Sequence, residues 1–352
     1  MSNLHERPGV YSVYDASSVL SGGRALRTVG VAAKAAKGDV GKAVTVTGYA
    51  AGAAVFGEDE TPGMSTILRL LFAGGASVVT AVRVAGEGTA EDYRSAFAAL
   101  GKEDAQVLVC DSGEEDVQQA LRGAVEEASA LRHERVAVVG CDGAEVSELV
   151  SRAAALNSER MVLVGPDALD SAGNPLSGVF AAAAVAALAA AGGDPAVPLN
   201  GGELKGLGGL RQDYGDNEID LLVRGGVTPL ECAAGVVSPV RGITTRTKTG
   251  GAADASWREL TTVLIVDDVI PAVRSALRSR FSRSKNTARN RAAIRSQVIV
   301  ELEKKLAAEI ISGYDGVTVT ASAEDPTVCL VEFGFSVAHG LNQVRLTVHI
   351  EI

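Results

Sequence analysis

The sequence predicts an α/β protein followed by an α+β unit. A three-layer α/β middle domain precedes a C-terminal domain of two long helices beside a small β-sheet, with extended N- and C-terminal arms. Three observations carry this reading. Residues 63–237 alternate helix-period segments with short continuous apolar runs, the pattern of parallel strands buried on both faces. From about residue 238 the composition shifts to long helical segments and then alternating strands. The chain finishes on "NQVRLTVHIEI", where Val344, Leu346, Val348, Ile350 and Ile352 alternate with polar residues.

Along the chain, residues 1–27 read as an N-terminal arm. Pro8-Gly9 breaks structure, a short strand holds Val10, Tyr11, Val13 and Tyr14, and a Ser/Gly hinge follows. Residues 28–62 hold small runs, "TVGVAAKA" and "KAVTVTGYA", which read as a reduced β-rich segment. The α/β domain, 63–237, alternates helices such as "MSTILRLLFAG" and "AEDYRSAFAALG" with strands "SVVTAVRVA", "AQVLVC", "RVAVVG" and "RMVLVGP". The Ala-rich "VFAAAAVAALAAA" at 179–191 is too short to span a bilayer and reads as a buried helix.

Residues 238–342 form the C-terminal α+β domain. Its helices are "DDVIPAVRSALRSRFSRSKN" and "TARNRAAIRSQVIVELEKKLAAEIISGY", with Asp267 and Asp268 suited to the first helix N-terminus. "GVTVTAS" and "TVCLVEFGFSV" follow as strands, the second with Cys329, Val331, Phe333, Phe335 and Val337 on one face. Residues 343–352 are the final strand. The link "AHGLNQ" has a length that suits an ordinary hairpin, while Gly340 and its polar neighbours suit a hinge toward another chain.

Chemistry is hard to find. Neither "DSGEED" nor "CDGAE", the turns after two strands, is GxGxxG, and their acidic residues would repel a pyrophosphate. "GDVGKAVT" lacks the Walker spacing. Asp111, Ser112 and His133 could suggest a hydrolase, but no GxSxG elbow is present. His133 reads instead as a solvated residue near a helix end. The four cysteines show no metal spacing and read as buried thiols in a reducing compartment. The start of the chain lacks the apolar run of a signal peptide. No cofactor, metal or catalytic set is expected.

Net charge is −10, which argues against a nucleic-acid partner. Yet Arg274, Arg278, Arg280, Arg283, Lys285, Arg289, Arg291 and Arg295 lie in one stretch without an acidic residue. Exposed helices usually mix signs, so this run points to an acidic protein surface.

Several stretches together resemble the contractile tail sheath proteins of phages and phage-tail-like bacteriocins. They are "RPGVY", "GGVTPLE" at 225–231, "VVSPVRGITTRTKT" at 236–249, "WRELTTVLIVDDVIPAVRSALRSRF" at 257–281, "SKNTARNR" at 284–291 and the final alternating strand. The resemblance implies a structural subunit, not an enzyme. It would polymerise helically around an inner tail tube and drive it through a target envelope by contraction. Implied partners are further copies of the chain, the tube protein, and baseplate and tail terminator proteins, without membrane insertion. Implied locations are the bacterial host cytoplasm during assembly, then a phage tail or a released particle. The terminal strands would be donated to neighbouring subunits and accepted beside Val317, Val319, Val331, Phe333 and Phe335. Arg274, Arg278, Arg280, Arg283 and Lys285 would face the tube. The competing expectation is an α/β hydrolase or nucleotide-binding enzyme with a C-terminal oligomerisation domain.

Overall fold

The computed structural model describes residues 27–59, 61–143, 145–342 and 345–348. β1 (Val29–Ala33), β2 (Ala43–Val46), α1 (Tyr49–Phe56) and α2 (Met64–Ala73) come first. Then follow β3 (Val79–Arg83), α3 (Ala90–Leu100), β4 (Val107–Cys110), α4 (Glu115–Ala130), β5 (Val136–Gly140), α5 (Val146–Leu156) and β6 (Met161–Gly165). The short β7 (Ala168–Asp170) and β8 (Pro175–Leu176) lead into α6 (Gly178–Ala191), β9 (Leu207–Leu210) and α7 (Asp216–Arg224). β10 (Val227–Ala233), β11 (Val236–Pro239), β12 (Lys248–Thr249) and β13 (Ala252–Ala253) close the α/β part. α8 (Leu260–Phe281), α9 (Ala288–Ala307), β14 (Ile311–Ala321) and β15 (Cys329–Val337) follow.

The central sheet has eight strands in the order β11-β10-β6-β5-β4-β1-β3-β2. Pairing is parallel from β10 through β3, and β2 and β11 are antiparallel at the edges. Successive residues serve opposite faces. Val107, Val136, Val138 and Val162 pack on the side of α1, α2 and α6. Leu108, Ala137, Val139 and Leu163 pack on the side of α3, α4 and α5. Strands buried on both faces must be apolar throughout, which is why they read as continuous runs.

The expectation of a separate β-rich segment over 28–62 is corrected here. β1 lies inside the large sheet, between β4 and β3. Part of "KAVTVTGYA" is helix α1, whose Gly52 lets it approach α2: an added Cβ would lie 2.7 Å from Leu68.

α6 is buried on nearly every side. A helix apolar all round is stable only when enclosed. Its small residues let it sit close to the sheet and to α2. The closest approach is backbone to backbone: a Cβ on Gly140 would lie 2.0 Å from the Gly178 carbonyl oxygen. Ser177 caps the helix by accepting from the Val179 N–H.

The third core joins α8 and α9 to the hairpin β14–β15, with Ile265, Val269, Val273, Val298 and Leu302 at its centre. The first turns of α8 belong to a different core, because Leu260, Val263 and Leu264 pack with the α/β domain. α8 therefore spans both units. It starts earlier than the sequence implies, with Glu259 as N-cap, so Asp267 and Asp268 are interior helix residues and not caps.

Gly140→Ala is expected to cost about 3 kcal/mol or more, because backbone cannot yield as a flexible side chain can. Gly123→Ala, an exposed mid-helix site with nothing within 4 Å, should gain about 0.5–1 kcal/mol. Urea unfolding of the two variants checks this contrast.

Candidate assembly interface

β14 and β15 form a two-stranded antiparallel sheet, paired from Ile311↔Val337 to Ala321↔Cys329 with irregularities near Ser312 and between Asp315 and Thr318. Val317 is buried, and Val319, Val331, Phe333 and Phe335 are half-buried. Val317, Val331, Phe333 and Phe335 pack into the core beneath the hairpin. These side chains thus serve the hairpin's own domain. What the hairpin leaves open is backbone: among the described residues no strand lies along either outer edge. Such edges are templates for another strand.

Of the final alternating segment, residues 345–348 are described. They belong to no strand, and Leu346 and Val348 are 85% and 67% exposed. Val344, Ile350 and Ile352 lie outside the described residues, as do Val10, Tyr11, Val13 and Tyr14 of the N-terminal arm.

The basic stretch divides in two. Arg278, Arg283 and Lys285 are exposed near the end of α8 and the turn after it. Arg280 is also exposed but bonds Gln297 on α9. Arg274 is already engaged: its guanidinium donates to both Glu134 oxygens, at 3.2 and 2.7 Å. It ties α8 to the α/β domain. Burial alone would raise the Glu134 carboxyl, but the Arg274 bonds outweigh it and hold the group below its ordinary value.

The sequence did not reveal the other ties of α8. Asp267 pairs with Arg160, and Asp268 with Lys305 of α9 at 2.6 Å. Burial pushes the Asp267 carboxyl up, and Arg160 opposes that shift. Asn286 bonds the carbonyls of Pro326 and Val328, fastening the turn between the helices to the β14–β15 loop. These partners lie far apart in sequence, so no local spacing marks them.

The residues considered for catalysis are not brought together. Asp111 and Ser112 follow β4, whereas His133 precedes β5. The two strands are parallel neighbours, so these residues occupy opposite ends of the sheet. Asp111 accepts from the Lys34 N–H and the Tyr93 hydroxyl. Ser112 is buried, and its hydroxyl accepts from the Glu114 N–H. His133 instead borders a cleft of about 400 Å³ with Arg27, Gln106, Leu264 and Asp267. Among the described residues no group of three or more His, Cys, Asp or Glu could hold a metal ion. Among them, too, no helix is long and apolar enough to cross a membrane.

Glu134→Gln tests the Arg274 tie. The folded pKa lies below the ordinary 4.5, so the stabilisation is complete above that value and fades as pH falls through the lower folded one. With Arg274 partly solvated, the loss at pH 7 should be about 1 kcal/mol. Urea midpoints of the variant and the parent should converge as the medium is acidified below 4.5 and through the lower folded value.

Residues 86–245 match the phage tail sheath protein central domain, and residues 252–351 match the phage tail sheath C-terminal domain. No curated protein matches the chain in sequence. Among solved structures, the fold is similar to a sheath tail protein from Desulfitobacterium hafniense, with TM-score 0.72 and 12% identity, covering 94% of this chain and 100% of that one. A sheath tail protein from Listeria innocua gives TM-score 0.74 and 12% identity over 89% and 92% of the two chains. The anti-feeding prophage helical sheath in its contracted state gives TM-score 0.72 and 15% identity over 99% and 100%.

Proposed function

The chain belongs to the phage tail sheath proteins, and we propose that it polymerises by exchanging terminal strands between copies. The observation that carries this is the pairing of two complementary deficits. Among the described residues no strand lies along the edges of the hairpin β14–β15, and the described part of the alternating C-terminal segment leaves Leu346 and Val348 exposed. A strand added to an edge gains main-chain hydrogen bonds for affinity and alternate side chains for register. Each hydrogen bond contributes about 1 kcal/mol net. Each buried Val, Leu or Ile adds about 1.5–3 kcal/mol, so even a short donated strand holds firmly.

The same reading divides the chain into arms at 1–27 and 343–352 around an α/β body and the inner α+β domain. Arg278, Arg280, Arg283 and Lys285 would meet an acidic inner tube. Arg274 takes a supporting part instead, since Glu134 holds it. Exposed ion pairs are individually weak, about 0–1 kcal/mol, which suits a contact that must release when the sheath contracts. A head-to-tail contact that does not close into a ring generates a helix. Contraction would then release free energy stored in a strained extended helix, with no cofactor or fuel. Copies of the chain, the tube, the baseplate and a tail terminator are the partners, met in the bacterial cytoplasm before the finished tail or particle. The opposed positions of Asp111 and His133 support a structural role over a hydrolytic one.

Negative-stain electron microscopy of the full chain beside a variant ending at Asn342 tests this. Hollow helical tubes should form from the full chain and be absent from the truncation. Compact, identical particles in both samples would overturn strand exchange.

A further inference from the structure

The path of the chain between β15 and the C-terminal segment is set by the α/β domain, not by the hairpin. β15 ends at Val337, and the Ala338 N–H donates to the Ile310 carbonyl. Gly340 then lies against Pro198. A Cβ at Gly340 would come 2.9 Å from Pro198 Cγ, 3.1 Å from its Cβ and 3.2 Å from its Cδ. Asn200 donates through Nδ2 to Asn342 Oδ1 at 2.8 Å.

The surface receiving this link is firm. In the loop 194–202, Leu199 is buried in the α/β core. The Gly201 N–H donates to the Pro239 carbonyl at the end of β11, and the Gly202 N–H to the Leu199 carbonyl. Ala196 of the same loop packs against the C-terminal core. The loop is therefore a fixed seat between the two units. Beyond Asn342, Leu346 and Val348 stand exposed.

We propose that Pro198 and Asn200 form a latch for the root of the C-terminal arm, and that Gly340 and Asn342 are the residues it grips. The latch is a positioning device. It fixes the direction in which the arm leaves, so the donated strand meets a neighbour at one distance and angle. This rests on the strand-exchange reading given above. Gly340 serves as the close-approach residue, because any side chain there must displace the proline ring or the link. Asn342 serves as an acceptor at the last latched position. Preorganising a segment that must bind reduces the ordering cost at assembly.

The full-length protein carrying Asn342→Leu, Asn342→Asp or Gly340→Val tests the latch. The readouts are the lowest protein concentration that yields sedimentable tubes, their helical rise and twist, and the monomer's thermal midpoint. Asn342→Leu removes the acceptor at similar size and should raise that concentration about threefold to tenfold. Asn342→Asp keeps the acceptor oxygen and should stay close to the parent. Gly340→Val should raise it further or change rise and twist. All three monomers should keep the parent's midpoint. Assembly of Asn342→Leu and Gly340→Val at the parent concentration with the parent lattice overturns the latch, while the variant ending at Asn342 still fails to assemble. Assembly of that truncation as well as the full chain removes strand exchange and the latch together.

Discussion

The packing of α6 on the central sheet is the constraint on which the rest of the molecule rests. A parallel sheet needs both faces covered, and α6 lies along β4, β5 and β6 on one of them. It achieves this with Ala and Gly where most helices use Leu. Small side chains bring the helix axis close to the sheet, and at Gly140 and Gly178 the two backbones touch. α2 can then pack against α6, and α1 against α2 through Gly52. The Gly192 end of α6 also receives Arg27, the first described residue, through bonds to the carbonyls of Ala189 and Gly192.

From that body α8 carries the geometry outward. Its first turns are part of the α/β core and its later turns part of the C-terminal core. Buried apolar contact supplies the adhesion, and Arg160–Asp267 and Arg274–Glu134 fix the azimuth of the helix. Charged pairs at such half-buried positions contribute specificity more than net stability, because desolvation offsets much of their attraction. Pro271 offers no N–H to the Asp267 carbonyl, one turn before. The hairpin, the basic end of α8 and the link through Gly340 and Asn342 are thereby held in fixed relation to one another.

Much of this was legible in the sequence, for physical reasons that differ by element. The alternating pattern over 63–237 exposed the α/β layers because each strand is apolar on both faces. The Ala-rich segment could only be a buried helix. The alternation in "CLVEFGFSV" showed which face of β15 meets the core, and the packing of Val331, Phe333 and Phe335 agrees. Other features were hidden. β1 enters the sheet between β4 and β3, and order in space is not written in order along the chain. Its run "VGVAA" is as apolar as the other buried strands and carries the same signature of a strand covered on both faces. Asp267 and Asp268 have the chemistry of caps and the position of interior residues. Their roles are set by Arg160 and Lys305, which no local spacing connects to them. The same holds for Arg274 and Glu134: a basic run can be read from composition, but which of its members are already paired cannot.

The hairpin β14–β15 states the functional problem in its simplest form. An isolated two-stranded sheet is marginal by itself, and here α9 packs against β14 while α8, α9 and the hairpin share one core. Among the described residues no strand covers its edges, and the alternating C-terminal segment could satisfy one. Strand exchange between copies would turn two marginal elements into a sheet continuous from subunit to subunit, strong enough to stay intact while the copies move relative to one another. A cryo-electron microscopy reconstruction of the assembled tubes tests this most directly. The account predicts density for residues 343–352 hydrogen-bonded along the open edge of the hairpin of a different copy, reached through a link leaving past Asn342. Density that returns those residues to the hairpin of their own copy would contradict it.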